Sequence, residues 1–284
     1  MPFILRLAAT VIVATMGLTV TALAQEDADS AAVAASTGMP SAVGAPEPGW
    51  RSQWGVGLIV NPKFVGSEDY NLTPIPFLDF RYMDQKGTKY FANVPQGLGG
   101  FFYRQRDMKT GGFVNLGAAI APGFTVRDDT FDELDEIGLS TEARIYAEAG
   151  GRRWVASATL AQDVGSGHEG AYLDVSVQRR GRLKEGRGFY AWGPVLRVGD
   201  DTYKEAFFSV DQRAANAVGI EAYDADAGIE RVGLQGLLSL PVARSKWRFT
   251  SLLRVATLID DASDSPIVEE DLQFFFLTSF TRPF

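Results

Sequence analysis

Few side chains in this sequence are placed to do chemistry. The single histidine, His168, stands in Gly165-Ser166-Gly167-His168-Glu169, beside a serine and an acid. Members of a Ser-His-acid triad converge from separate elements, so three such residues in one short stretch do not form one. His168 is therefore expected to be a solvated loop residue. The acids Asp128, Asp129, Asp132, Glu133, Asp135 and Glu136 are close enough to gather a divalent cation. Their spacing is not that of an EF-hand loop, and a solvated acidic loop is the expectation. There is no Gly-rich phosphate loop. There are no cysteines, which excludes disulfides, thiolate metal sites and a Cys nucleophile. No catalytic residue, cofactor or metal is assigned, and no enzymatic activity is expected.

The remaining charged residues that share a face are Arg144, Arg153, Arg231, Arg248 and Arg254, with Glu142, Glu148 and Asp174. Lining a water-filled tube, they would select what passes. Filling a narrow one, they would pair with each other across it. Either use requires a closed sheet with a polar interior.

The patterning of the chain supports such a sheet. Leu139, Thr141, Ala143, Ile145 and Ala147 alternate with Ser140, Glu142, Arg144, Tyr146 and Glu148. Ala171, Leu173, Val175 and Val177 alternate with Tyr172, Asp174, Ser176 and Gln178. Trp154, Ala156, Ala158 and Leu160 oppose Arg153, Ser157, Thr159 and Gln162. Similar runs recur near Val232–Leu240 and Trp247–Ile259. Alternation over roughly ten residues is the pattern of a membrane-crossing strand, apolar toward lipid and polar toward the lumen. A soluble sandwich or ligand-binding barrel would alternate in the same way with the faces reversed. Short turn-like connections, such as Asp84-Gln85-Lys86-Gly87 and Gly150-Gly151, largely alternate with long ones at 61–70, 124–136, 199–228 and 260–270. About twelve antiparallel strands are expected, with short periplasmic turns and longer outer loops. The 199–228 connection carries Phe207, Phe208, Val210 and Ile220, and is expected to fold inward over the barrel mouth.

The strand Asp271–Thr281, in the stretch that ends at Phe284, is expected to close the barrel against a strand starting near Trp50. Leu272, Phe274, Phe276, Thr278, Phe280 and Phe284 share one face; Gln273, Ser279 and Thr281 share the other, with Phe275 and Leu277 as apolar exceptions. Arg282-Pro283 departs from the usual aromatic ending of such strands.

The mean hydropathy of −0.03 is too low for helical spans of about 20 apolar residues each. The net charge of −8 argues against nucleic acid as a partner. Arg6, the apolar run Leu7–Val20 and Ala22-Leu23-Ala24 form a secretory signal with cleavage expected after residue 24. Residues 25–49, rich in Ala, Ser, Gly and Pro, are expected to be a disordered periplasmic tail, and residues 50–284 the barrel.

Three spaced segments carry more than periodicity: Gly66-Ser67-Glu68-Asp69-Tyr70 running on to Pro74-Ile75-Pro76-Phe77; Phe207-Phe208-Ser209-Val210 through Gly219-Ile220-Glu221-Ala222-Tyr223; and Asp264-Ser265-Pro266-Ile267-Val268. Together they resemble the MltA-interacting protein (MipA/OmpV) family of outer-membrane proteins. The resemblance implies an outer-membrane scaffold in a Gram-negative envelope, linking a murein lytic transglycosylase with a peptidoglycan synthase. A passive or selective pore is the alternative. The two motif loops, Gly66, Ser67, Glu68, Asp69 and Tyr70 with Asp264, Ser265 and Pro266, read as turn formers first and as binding loops second.

Overall fold

In a computed structural model, residues 47–107, 109–123, 127, 137, 138, 140–183, 188–242 and 244–284 are described. The signal segment, nearly all of the 25–49 tail and the acids at 128–136 lie outside them. The strands are β1 (Gly49–Pro62), β2 (Tyr70–Asp84), β3 (Gly87–Asn93), β4 (Gly97–Arg106), β5 (Phe113–Gly123) and β6 (Ser140–Gly150). They continue as β7 (Trp154–Asp163), β8 (Ala171–Arg182), β9 (Phe189–Gly199), β10 (Gly228–Pro241), β11 (Arg248–Leu258) and β12 (Leu272–Pro283). Each pairs antiparallel with its sequence neighbours, and β12 pairs with β1 to close the barrel. The closing register runs from Gln53 opposite Pro283 to Val60 opposite Phe276. Closure gives the first and last strands partners, as crossing hydrocarbon as a sheet requires. The Tyr70–Leu78 part of β2 extends beyond β3 and is paired on its β1 side.

Exposure decides which face is which. Val56, Leu72, Leu98, Ile145, Leu160, Leu234, Leu253, Phe274 and Phe280 are exposed on the outside, while Glu142, Arg144, Arg197, Gln235 and Arg254 are buried inside. A contiguous apolar belt around a closed barrel fits lipid and not water, which disposes of the soluble alternative. Among the described residues, no helix is long and apolar enough to cross a membrane.

Two groups on the expected inner face sit elsewhere. Arg153 is exposed in the β6–β7 turn, because β7 starts only at Trp154. Gln162 points outward, its amide nitrogen donating to the carbonyls of Asp163, Glu169 and Gly170, and Asp163 takes the inward position. Inside, the barrel is not uniformly polar. Phe275 and Leu277 are buried in a layer with Ile59, Phe189, Ala191, Leu237 and Leu252. Phe91, Phe101, Ala119 and Tyr146 form a second apolar cluster.

One end of the barrel, the turn end, carries the connections β2–β3, β4–β5, β6–β7, β8–β9 and β10–β11. The other, the loop end, carries the rest. There the 200–227 connection forms two short helices, α1 (Asp201–Phe208) and α2 (Gln212–Val218). Asp200 caps α1 by accepting from the Tyr203 N–H at 2.8 Å, and Asp211 caps α2 by accepting from Ala214 at 2.7 Å. Both satisfy donors that a helix N-terminus leaves free. Gly219, at φ +80°, ends α2 in the left-handed conformation.

Candidate functional site: a sealed mouth and a basic rim

The 200–227 segment lies across the mouth. Tyr203, Phe207 and Phe208 of α1 pack on Tyr172, Ala161, Leu258 and Val65 from the barrel wall and loops. Val210, Ala214 and Ala215 pack on Ile267. The inward fold expected for this connection is present, with Phe207, Phe208 and Val210 buried and Ile220 partly buried.

The two motif loops hold this cap. They lie on the β1–β2 and β11–β12 connections, which closure makes neighbours. The Gly66 carbonyl accepts from the N–H groups of Glu269 and Glu270, at 2.8 and 2.9 Å. Glu269 accepts from the Ser67 hydroxyl and the Glu68 N–H, at 3.3 and 3.0 Å. Gln273 Oε1 accepts from the Gly66 N–H and its Nε2 donates to the Ser67 and Glu270 carbonyls. Lys63 pairs with Asp69 at 2.6 Å. The Tyr70 hydroxyl accepts from the Phe274 N–H at 3.2 Å. Ser265 is buried and its hydroxyl donates to the Phe208 carbonyl at 2.6 Å, fastening the β11–β12 loop to α1. Asp264 and Pro266 beside it stay exposed. These residues thus strap loop to loop and loop to cap.

Gly66 shows how tight the clasp is. Its φ is +89°, and a Cβ there would lie 2.7 Å from a Val268 methyl. Gly66→Ala is expected to destabilise the barrel by about 1–3 kcal/mol, through overpacking and left-handed strain. A lower urea midpoint should come with faster proteolysis at the 263–271 loop; an unchanged midpoint would show that the clasp is loose.

Under the cap lies a buried polar cluster. Asp163 accepts from the N–H groups of Gly165, Gly167 and Glu169, and this fold turns His168 inward. His168 is only 3% exposed, a correction to its expected place in solvent. The Gly170 N–H donates to Nδ1 at 3.1 Å, so the imidazole proton belongs on Nε2, which faces Glu142 Oε1 at 3.6 Å. Glu142 Oε2 accepts from Arg144 Nε at 2.8 Å and the Tyr172 hydroxyl at 3.0 Å. Arg197 holds Asp174 through two bonds, at 2.7 and 2.8 Å, donates to the Tyr203 hydroxyl, and stacks over Tyr172 at 4.1 Å. The Ser140 hydroxyl donates to Glu142, not to His168. Tyr172, Tyr203 and Phe207 pack around the imidazole. In the cap itself, burial holds the Lys204 ammonium below the usual lysine range, against the pull of Glu230, Asp261 and Asp260. Burial, with Asp261, Asp264 and Asp226 nearby, raises the Tyr223 phenol.

Further down, Arg254 donates twice to Gln235 and Arg231 pairs with Glu230 at 3.1 Å. Arg231, Gln235 and Arg254, together with Ser157, Thr159, Asp174 and Arg197, line a cavity of ≈ 30 Å³, room for about two waters. Of the two uses open to the inward charges, the described residues show mutual pairing, as in Arg144 with Glu142 and Arg197 with Asp174.

The two ends differ in sign. Exposed acids crowd the loop end, among them Glu68, Asp201, Glu205, Asp211, Asp226 and Glu270. At the turn end the exposed residues include Lys86, Lys109, Arg152, Arg153, Arg244 and Lys246. Two acids there are occupied: Asp84 binds Arg104 at 2.7 Å, and Asp107 accepts from the Lys109 N–H and the Thr110 hydroxyl. These bonds, that to Thr110 first, hold the Asp107 carboxyl below the usual range. This basic rim has a signal in the sequence, since the sign of charge largely alternates with the connections.

No curated protein matches the sequence. The family described as MltA-interacting protein MipA matches residues 54–284, all but the first few residues of the barrel, and the chain belongs to that family.

Proposed function

We propose that the protein is an exported, non-enzymatic outer-membrane scaffold that works at its turn-end surface. What supports this reading is the cap packed over the mouth, with charge pairs and two apolar clusters buried beneath it. In this reading the surfaces at the two ends carry the function. The family's description, MltA-interacting protein, supports a murein lytic transglycosylase as the partner, and a peptidoglycan synthase is the second partner in this reading. In this reading residues 1–24 direct export, 25–49 form a periplasmic tail, and the turn end, where β1 starts and β12 finishes, faces the periplasm. The basic rim then meets the acidic face of its partner, which would speed and orient docking more than it would tighten it. Co-isolation of a murein lytic transglycosylase with the membrane-inserted barrel tests the reading.

The rival pore makes an opposite prediction. The reconstituted barrel should show no steady conductance in planar bilayers, and it should stay closed when residues 201–226 are replaced by a short polar linker. The layer around Ile59, Leu237, Leu252, Phe275 and Leu277 lies in the lumen apart from the cap. Stable, porin-sized steps from the intact chain would favour the pore instead.

A further inference from the structure

Arg282 occupies an outward position on β12, in line with Phe274, Phe276 and Phe280 on the lipid face and opposite Trp54 of β1. An arginine on that face is costly unless something offsets its charge. Two indoles hold it: its guanidinium lies 5.8 Å from the Trp54 ring and 5.7 Å from the Trp247 ring. The indoles themselves meet edge to face at 5.4 Å, and Phe284 closes the side at 6.5 Å from Trp54. Arg282 Nε is buried and has no hydrogen-bond partner. Among the described residues, no acid forms an ion pair with it, whereas exposed Arg244 and Lys246 add positive charge in the turn before Trp247.

The depth of this cage is set by its tryptophans. Trp50, Trp54, Trp154, Trp192 and Trp247 all stand in the turn-end half of the barrel, where an aromatic belt marks the boundary between hydrocarbon and headgroups. A cation fixed at that level, facing outward and lacking an acid, meets lipid phosphates. A guanidinium binds phosphate through paired N–H donors, and stacking on aromatic rings fixes its plane while leaving its edge free.

We propose that Arg282, caged by Trp54 and Trp247, seats the phosphate of an anionic glycerophospholipid, with Lys246 and Arg244 favouring a headgroup of net negative charge. The proposal rests on the membrane-inserted reading of the barrel. It also explains why an arginine interrupts the aromatic row of the closing strand.

The test uses the full mature chain, folded into vesicles of phosphatidylcholine with or without phosphatidylglycerol, then extracted and examined by native mass spectrometry. Wild type should retain phosphatidylglycerol over phosphatidylcholine. Arg282→Gln should retain about tenfold less, the loss expected from one charge-assisted contact, and Trp247→Leu should fall between the two. Free inorganic phosphate at matching concentration should not displace the lipid. Equal retention by wild type and Arg282→Gln, no preference between the two lipids, or displacement by phosphate would overturn the proposal while the barrel remains inserted. Failure of the wild type to insert into either vesicle, read as absence of heat-modifiable migration, would instead overturn the membrane reading on which it rests.

Discussion

Phe276→Arg should sharply reduce the fraction of chain that folds into membranes, while Asn115→Arg should leave most of it folded. Phe276 faces outward near the middle of β12, between Leu253 of β11 and Val60 of β1. An arginine there meets hydrocarbon on the lipid side and apolar neighbours on both strands. The cost at mid-bilayer is about 2–4 kcal/mol, a sizeable part of the 5–15 kcal/mol typical of domain stability. Asn115 faces the lumen, and its Nδ2 donates to Glu148 at 3.2 Å. An arginine at that position keeps a donor to the same carboxylate and gains an opposite charge. Heat-modifiable migration after refolding into vesicles reports both. Equal losses would mean that the two faces have been assigned the wrong way round.

Arg144→Met should lower the unfolding free energy by about 3–5 kcal/mol, the usual effect of removing one partner from a buried charge pair. Arg144 is 1% exposed and Glu142 is not exposed at all. The guanidinium binds Glu142 and also donates to the Pro95 and Pro122 carbonyls, at 2.9 and 3.0 Å, tying the β3–β4 connection and the end of β5 to β6. Its loss leaves a buried carboxylate with only the Tyr172 and Ser140 hydroxyls and the facing His168, and removes a donor from two carbonyls. Adding Glu142→Gln removes the stranded charge and should recover part of the loss, which separates the charge from the carbonyl contacts. Urea midpoints of the two single variants and the double variant measure this. A single-variant shift below about 1 kcal/mol would show that water reaches the pair.

The fold was legible because a barrel writes itself as alternation. Leu139 to Glu148 and Ala171 to Gln178 assign their own faces once export and the aromatic strand choose lipid for the apolar side. Phe275 and Leu277 were not legible as lumen residues. An apolar side chain on an inner face breaks the rule that polar residues fill the lumen, and the layer it joins comes from β1, β9, β10 and β11, far off in sequence. His168 was misplaced for a related reason. A histidine among glycines reads as solvated, and only the three N–H groups converging on Asp163 turn it inward. Gln162 was assigned to the lumen by stepping past a break in the pattern that the strand does not contain. Arg153 was assigned there one residue before its strand begins. The motif loops were legible as turns; that they clasp each other followed only from β12 lying beside β1.

The most direct test of the scaffold reading is binding of a murein lytic transglycosylase to the barrel in lipid nanodiscs, for wild type and for a variant reversing Lys109, Arg152, Arg153 and Lys246 to glutamate. The account predicts saturable binding by wild type that weakens as salt is raised. It predicts a loss of at least tenfold in the reversed variant, with association slowed most. A variant with glutamines at the exposed loop-end acids Glu68, Glu205 and Glu270 should bind as wild type does. Binding that ignores the turn end, or that fails with the intact barrel while ions pass through its lumen, would contradict the account.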